Sequence, residues 1–445
     1  MITPVSAFAA RRAALARQMQ ADGGGVAVLF SGNEVMRNRD SDYPFRSDSY
    51  FFYLSGFPEP EAALVLVADA LETRSILFCR EKHEEREIWD GYRYGPQVAA
   101  TEFGFDTAHP IAELDKLVPT LLADRNALFM PMGQDEATDA RARGWLAGVR
   151  AQSRAGVTAP DRIVDVRQLL DDMRVIKDEH ELAVMRRAAQ ISAQAHCRAM
   201  RCTRPGLHEF EVEAELLYEF RRHGSPFPAY GSIVAGGANA CVLHYRSNDR
   251  LLEDGDLLLI DAGCELENYA SDITRTFPVG GRFSKAQRAV YDIVLAANVA
   301  AIEAVSPGND FDAPHQTALR ILVQGLIDLG LLQGPLDVAL ADGGYRRFYM
   351  HRTSHWLGMD VHDCGDYRER STPGEGEPAW RVLRPGMMLT IEPGLYIRAA
   401  DDIDPRFHDI GIRIEDDVLV TAGGREVITS GVPKTAAEIE ALMRG

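Results

Sequence analysis

The sequence predicts two domains of mixed helix and strand, a smaller α/β domain over residues 1–174 and an α+β domain over residues 175–445. Three observations predict this. A chain of 445 residues exceeds the size at which one hydrophobic core stops growing. The first part alternates apolar strand-like runs with helix-like segments, whereas the second sets long amphipathic helices beside strands that carry acids. The composition, 46% hydrophobic and 26% charged, is that of an ordinary folded protein.

At the start, MITPVSAFAARRAALARQMQADGGG alternates Ala and Arg as an amphipathic helix does and ends in glycines. GGGVAVLFSGNE then reads as turn, strand, turn, and AALVLVADALETRSILFCR as two strands joined by a polar bend. AELDKLVPTLLADR is helix-like, and the domain boundary is expected near Met173. A long helix is expected to start at the N-cap Asp178 and to stop before Pro205-Gly206, with another from about Leu207 to Arg222. Strands follow from Ser232 through GSIVAGG and LLLIDAGCELENYASDITRTFPV, then a helix ended by Ser306-Pro307-Gly308. The last third repeats this order loosely, with a helix over 313–329, a His-rich stretch, and the strands MMLTIEPGLYI and GIRIEDDVLVT, so a two-halved domain is expected. STPGEGEP reads as a surface loop.

A net charge of −18 opposes binding to nucleic acid or anionic lipid. Six scattered cysteines without a CxxC pair fit reduced thiols in a cytoplasm. The N-terminus lacks the apolar core of a signal peptide, and no run of about 18 apolar residues offers a membrane span, so a soluble cytoplasmic protein is expected.

Four acids sit in strongly apolar surroundings: Asp261, Asp272, Glu392 and Glu415. A lone acid at a strand end is more often a turn former or helix cap. Here the context recurs: LLLIDAG and ASDITRTF place two acids eleven positions apart on a supposed hairpin, TIEPG repeats the apolar-acid-turn order, and GIRIEDD puts Arg413 and Glu415 on one strand face. Burying four carboxylates costs several kcal/mol each unless they are protonated, paired with bases or bound to cations. Two divalent cations would balance them. Oxygen donors with one imidazole and no nearby thiolate favour Mn, Fe, Co or Zn, and suit Mn.

Histidines cluster beside these acids, with His351, His355 and His362 in HRTSHWLGMDVHD and His244 before YRSND. His83, His109, His180, His196, His208, His223, His315 and His408 read as surface or core residues. His351 and His355 would share a helix face as in HExxH, but Arg352 stands where that motif needs Glu. No GxSxG elbow, no P-loop and no helix-opening GxGxxG is present, and VAGGANA reads as a tight turn.

Taken in order with their flanks, IDAG, SDITRTF, HWLGMDVHD, EPGLY and GIRIEDD resemble the metallopeptidase family with the pita-bread fold, which includes methionine aminopeptidases, prolidases, Xaa-Pro aminopeptidases and creatinase. RNRDSDYPFRSDSYFFYLSGFPEPEAALVL and EREIWDG resemble the amino-terminal domain of the bacterial Xaa-Pro aminopeptidases. The resemblance implies that Asp261 ligates one metal, Asp272 and Glu415 bridge two, and His355 and Glu392 ligate the other. It implies roles near the metals for His244, His351 and His362, contacts on the far side of the substrate for Arg413 and Tyr396, and an amino-domain acid near the site in Asp40. It further implies a homo-oligomer, dimer or tetramer, in which Trp89 reaches a neighbouring subunit's site. Arg352-Thr353 departs from the Gly and apolar residue expected there.

On this reading two cations lower the pKa of a shared water, so that hydroxide attacks the scissile carbonyl near neutral pH. One metal anchors the substrate's amino group, His362 or His244 donates to the oxyanion, and Glu392 shuttles the proton. The implied substrates are small peptides with N-terminal Xaa-Pro. A prolidase is the alternative within the class, and a peptide- or protein-binding module that has lost catalysis is the alternative outside it.

Overall fold

The computed structural model describes residues 2–370 and 376–445, so most of the STPGEGEP segment lies outside the described residues. The chain folds as two compact units, Met1–Met173 and Arg174–Gly445.

In the first unit the helix Val5–Ala21 buries Phe8, Leu15 and Met19 on one face, as its spacing requires. It stops where Gly23 and Gly24 take positive φ and the Gly24 N–H donates to the Met19 carbonyl at 2.7 Å. A six-stranded sheet follows, in the order 107–110, 73–79, 63–68, 25–30, 127–129, 162–164. Its centre is antiparallel, while the strands 107–110, 127–129 and 162–164 pair in parallel. The run Ala63–Ala68 is buried on both faces, and Val26, Val28 and Val65 pack with Leu114, Val118 and Trp145 from the helices Leu114–Leu122 and Glu136–Arg150. Continuous rather than alternating apolar patterning therefore reflects a sheet covered on both sides.

The second unit begins with the helix Glu179–Cys202, whose N-cap Asp178 forms a capping box with Glu181. The next helix runs Glu209–Arg222 from the N-cap His208. A three-stranded antiparallel sheet joins Ile233–Gly236, Leu257–Asp261 and Thr274–Pro278, and a second joins Met388–Ile391, Asp416–Thr421 and Gly424–Val427. The helices Lys285–Ala304 and Ala313–Asp328 pack on each other, and one apolar core runs through the unit.

The expected hairpin forms with an interruption at its turn, and two of the expected strands are broken. LLLIDAGCELENYASDITRTFPV leaves the first sheet after Asp261, makes a short hairpin of Cys264–Leu266 with Tyr269–Ala270, and returns at Thr274. A Cβ on Gly263 would collide with the Ser271 carbonyl, so this close return needs glycine. MMLTIEPGLYI splits at Glu392-Pro393, since proline cannot donate to a ladder, and its second half pairs with Ile410–Arg413. GIRIEDDVLVT splits at Ile414-Glu415. Each break falls beside one of the acids singled out from the sequence. Among the described residues no helix is long and apolar enough to cross a membrane.

Candidate metal centre

Register brings the first two acids together. Asp261 pairs opposite Thr274, and the Tyr230 hydroxyl lies between the carboxylates, donating to Asp261 at 2.6 Å with Asp272 in contact on its other side. Behind them, the fully buried His196 bonds through Nε2 to the Ala262 carbonyl at 2.9 Å, the place of a core histidine rather than a ligand. Glu415 arrives from the other sheet through a bridge to Thr274, whose hydroxyl donates to Oε2 at 2.6 Å. Glu392 sits at the break before Gly394, and its N–H donates to the Thr353 carbonyl at 2.8 Å.

His355 lies in a non-helical segment, so the helical spacing considered for His351 and His355 does not apply. Its Nδ1 bonds to the Trp356 carbonyl at 2.9 Å, which leaves Nε2 facing the acids, 3.6 Å from Asp272 and 3.8 Å from Glu392. The His362 ring stacks on it with centroids 3.9 Å apart. His351 donates from Nδ1 to the Arg352 carbonyl, so its Nε2 accepts the Tyr396 hydroxyl at 2.8 Å. Arg413 donates to Tyr396 at 3.0 Å and to Asp261 Oδ2 at 2.6 Å.

All of these meet at a cavity of about 600 Å³. Its lining includes the five expected ligands, Asp261, Asp272, His355, Glu392 and Glu415, together with His244, His351, His362 and Arg413. Tyr396 is fully buried behind His351 and Arg413 rather than in the lining. Asp40 and Trp89 belong to the other unit, where Asp40 is exposed between two short strands and Trp89 is 85% exposed on the helix Glu84–Asp90. Sequence reasoning missed Tyr230, Arg246, Phe311, Tyr367 and Trp380, which also line the cavity. None of these carries a distinctive local spacing.

Among the described residues, Arg413 and His355 are the cations that act on these four acids. Burial raises the Glu392 carboxyl to about 7 against the pull of His355 and Arg413. Burial, reinforced by Asp272 and Glu392, holds Glu415 well above the carboxylate range, and burial also raises Asp272. Burial would lower His355, but Asp272 and Glu392 outweigh it and raise the imidazole to about 9. Burial takes His351 to about 3 and His362 to about 4, with Arg413 and His355 respectively adding to the effect. Such a site is short of positive charge, and divalent cations fit it. Donor atoms of Asp272, His355 and Glu415 lie within 4.8 Å of one another, a spacing for one ion, and oxygens with one imidazole suit a borderline metal. Asp261 is turned toward Arg413 and Tyr230 instead.

Residues 183–422 match the model of metallopeptidase family M24, and residues 8–129 match the aminopeptidase P N-terminal domain. The chain is 44% identical to the Xaa-Pro aminopeptidase of Escherichia coli over 98% of its own length and 97% of the relative's. It is 34% identical to Xaa-Pro aminopeptidase 3 of Rattus norvegicus, covering 94% of this chain and 80% of that one. Its structure is similar to that of Pseudomonas aeruginosa aminopeptidase PepP, with TM-score 0.95, 49% identity and coverage of 100% and 99% of the two chains. It is equally similar to zinc-substituted E. coli aminopeptidase P in complex with product, with TM-score 0.95, 43% identity and coverage of 99% and 98%. The buried acids, their imidazole partner and both matched regions agree: the chain belongs to metallopeptidase family M24, with an aminopeptidase P N-terminal domain ahead of the catalytic one.

Proposed function

We propose that the chain is a dinuclear metallo-aminopeptidase that removes the first residue of peptides with proline in second place. The convergence of Asp272, His355 and Glu415 at the floor of one cavity carries this reading. The names of its relatives, Xaa-Pro aminopeptidases at 44% and 34% identity over nearly the whole chain, support the substrate class. Asp261, Asp272, His355, Glu392 and Glu415 hold two divalent cations, with Mn the first choice and Fe, Co or Zn compatible with the same donors. When bound, the cations supply a water of lowered pKa near the scissile carbonyl.

The chain's own groups do the rest. Glu392, at the break that brings its carboxyl to the cavity, takes a proton and returns it to the leaving amine. His362, held neutral by burial and by His355, presents an N–H to the developing oxyanion, and His244 lines the same cavity. The Asp261–Arg413–Tyr396–His351 chain of hydrogen bonds fixes the wall that the substrate meets. Trp89 acts at the site of a neighbouring subunit in a homo-oligomer. Ile88, Trp89 and Tyr92, all at least 79% exposed, support such an association.

The test is release of the first residue from Xaa-Pro-Zaa, Xaa-Ala-Zaa and the dipeptide Xaa-Pro by Mn-loaded protein. Preference for Xaa-Pro-Zaa is expected. Equal cleavage of Xaa-Ala-Zaa would overturn the proline reading, and cleavage of the dipeptide alone would make the protein a prolidase.

A further inference from the structure

The floor and mouth of the cavity differ in charge. Asp261, Asp272, Glu392 and Glu415 are the only acids in its described lining, and they sit at the floor, where Asp272 and Glu415 are 4% and 2% exposed. Two exposed arginines, Arg246 and Arg352, also line it. The third arginine, Arg413, is buried and committed to Asp261.

Arg246 makes no hydrogen bond or ion pair among the described residues, although its guanidinium reaches over Gly231, close enough to touch a Cβ there. Arg352 is held in place instead. Its Nη2 bonds to Asp312, the N-cap residue of the helix Ala313–Asp328, and its guanidinium lies over the Trp380 ring at 4.7 Å. Stacking and one ion pair orient a planar guanidinium while leaving other N–H donors free. Asp312 offsets one charge, so among the described residues named here the mouth keeps one positive charge in excess, with donors already ordered.

On the aminopeptidase reading, on which this inference rests, a peptide's amino end lies at the buried acids. Its residues beyond the second must then leave past the exposed mouth. We propose that Arg246 and Arg352 form a carboxylate subsite there, favouring peptides with a negative charge at the third residue. That charge is either an Asp or Glu side chain or the terminal carboxylate of a tripeptide. Neither arginine touches the reacting bond; the pair sets specificity through binding.

Steady-state kinetics of the Mn-loaded protein on Ala-Pro-Glu-amide, Ala-Pro-Gln-amide and Ala-Pro-Lys-amide tests this, with Ala-Pro-Ala as acid and amide to separate terminal from side-chain carboxylate. The Glu peptide is expected to exceed the Lys peptide in kcat/KM by about tenfold, mostly through KM, with the ratio falling as salt rises. Arg246→Gln with Arg352→Gln should bring that ratio toward one, and Arg246→Glu should invert it. Calorimetric binding of Pro-Glu-amide and Pro-Lys-amide should rank the same way without turnover. Equal kcat/KM across the three charges, or a ratio untouched by the double substitution, would overturn the subsite while leaving the aminopeptidase standing. No cleavage of any of the peptides by metal-loaded protein would overturn the aminopeptidase reading itself, and the subsite with it.

Discussion

Thr274 and Glu415 are tied twice: the threonine hydroxyl donates to Glu415 Oε2 at 2.6 Å, and the Glu415 N–H donates to the Thr274 carbonyl at 3.0 Å. This pair joins the two sheets of the catalytic unit at the cavity floor. Thr274→Val keeps the shape and removes the first bond, so the Glu415 carboxylate loses its orientation. Metal affinity is expected to fall by about 10- to 100-fold, the usual effect of removing a hydrogen bond behind a ligand. Competition with a chromogenic chelator measures it, and unchanged affinity would mean that the backbone bond alone positions Glu415.

Glu392 combines a ligand's position with a place on the cavity wall, where a substrate would lie. Glu392→Gln preserves size and one oxygen donor while removing the proton acceptor. Turnover of an Xaa-Pro peptide is expected to drop by roughly 10²- to 10⁴-fold. Near-normal turnover with intact metal content, read by elemental analysis of the same sample, would rule out the shuttle.

Asp363 bridges two buried cations, accepting from Arg174 at 2.7 Å and from Lys177 at 3.0 Å, with all three side chains 1% exposed. Burial pushes its carboxyl up, but Lys177 and Arg174 outweigh this and hold it below the ordinary value. A depressed folded-state value means that the contribution is complete above the unfolded pKa of about 3.9 and is lost as pH falls through the folded value. Asp363→Asn leaves two buried cations short of a partner and is expected to cost about 3–5 kcal/mol in urea unfolding at pH 7. The difference from wild type should shrink at low pH; a gap constant down to pH 2 would contradict the ion-pair origin.

The helix Glu84–Asp90 presents Ile88 at 79% and Trp89 at 85% exposure, with Tyr92 at 93% just beyond it. Ile88→Ser with Trp89→Ala is expected to lower the solution mass by multi-angle light scattering. An unaltered oligomer would remove this helix from the interface.

Much of the chain is legible in its sequence. Asp178 announces its helix because a cap followed by Glu181 satisfies backbone donors locally, and the helix ends at Cys202, ahead of Pro205-Gly206. The first sheet's strands are equally plain, since burial on both faces demands continuous apolar runs. Breaks at Glu392 and Glu415 are not, because the apolar pattern continues across each acid while the chain changes partner strands.

Asp261, Asp272, His355, Glu392 and Glu415 stand out in the sequence because charge amid apolar residues needs a partner, a constraint written locally. Tyr230 between two carboxylates, Arg352 over Trp380 and Arg246 at the cavity mouth are decided only by tertiary structure. Tyr230 lies 42 residues from Asp272 in the chain, and Arg352 lies 28 from Trp380. Local chemistry marks which side chains must be compensated; which distant side chains compensate them depends on strand register and packing, and a linear sequence does not display these.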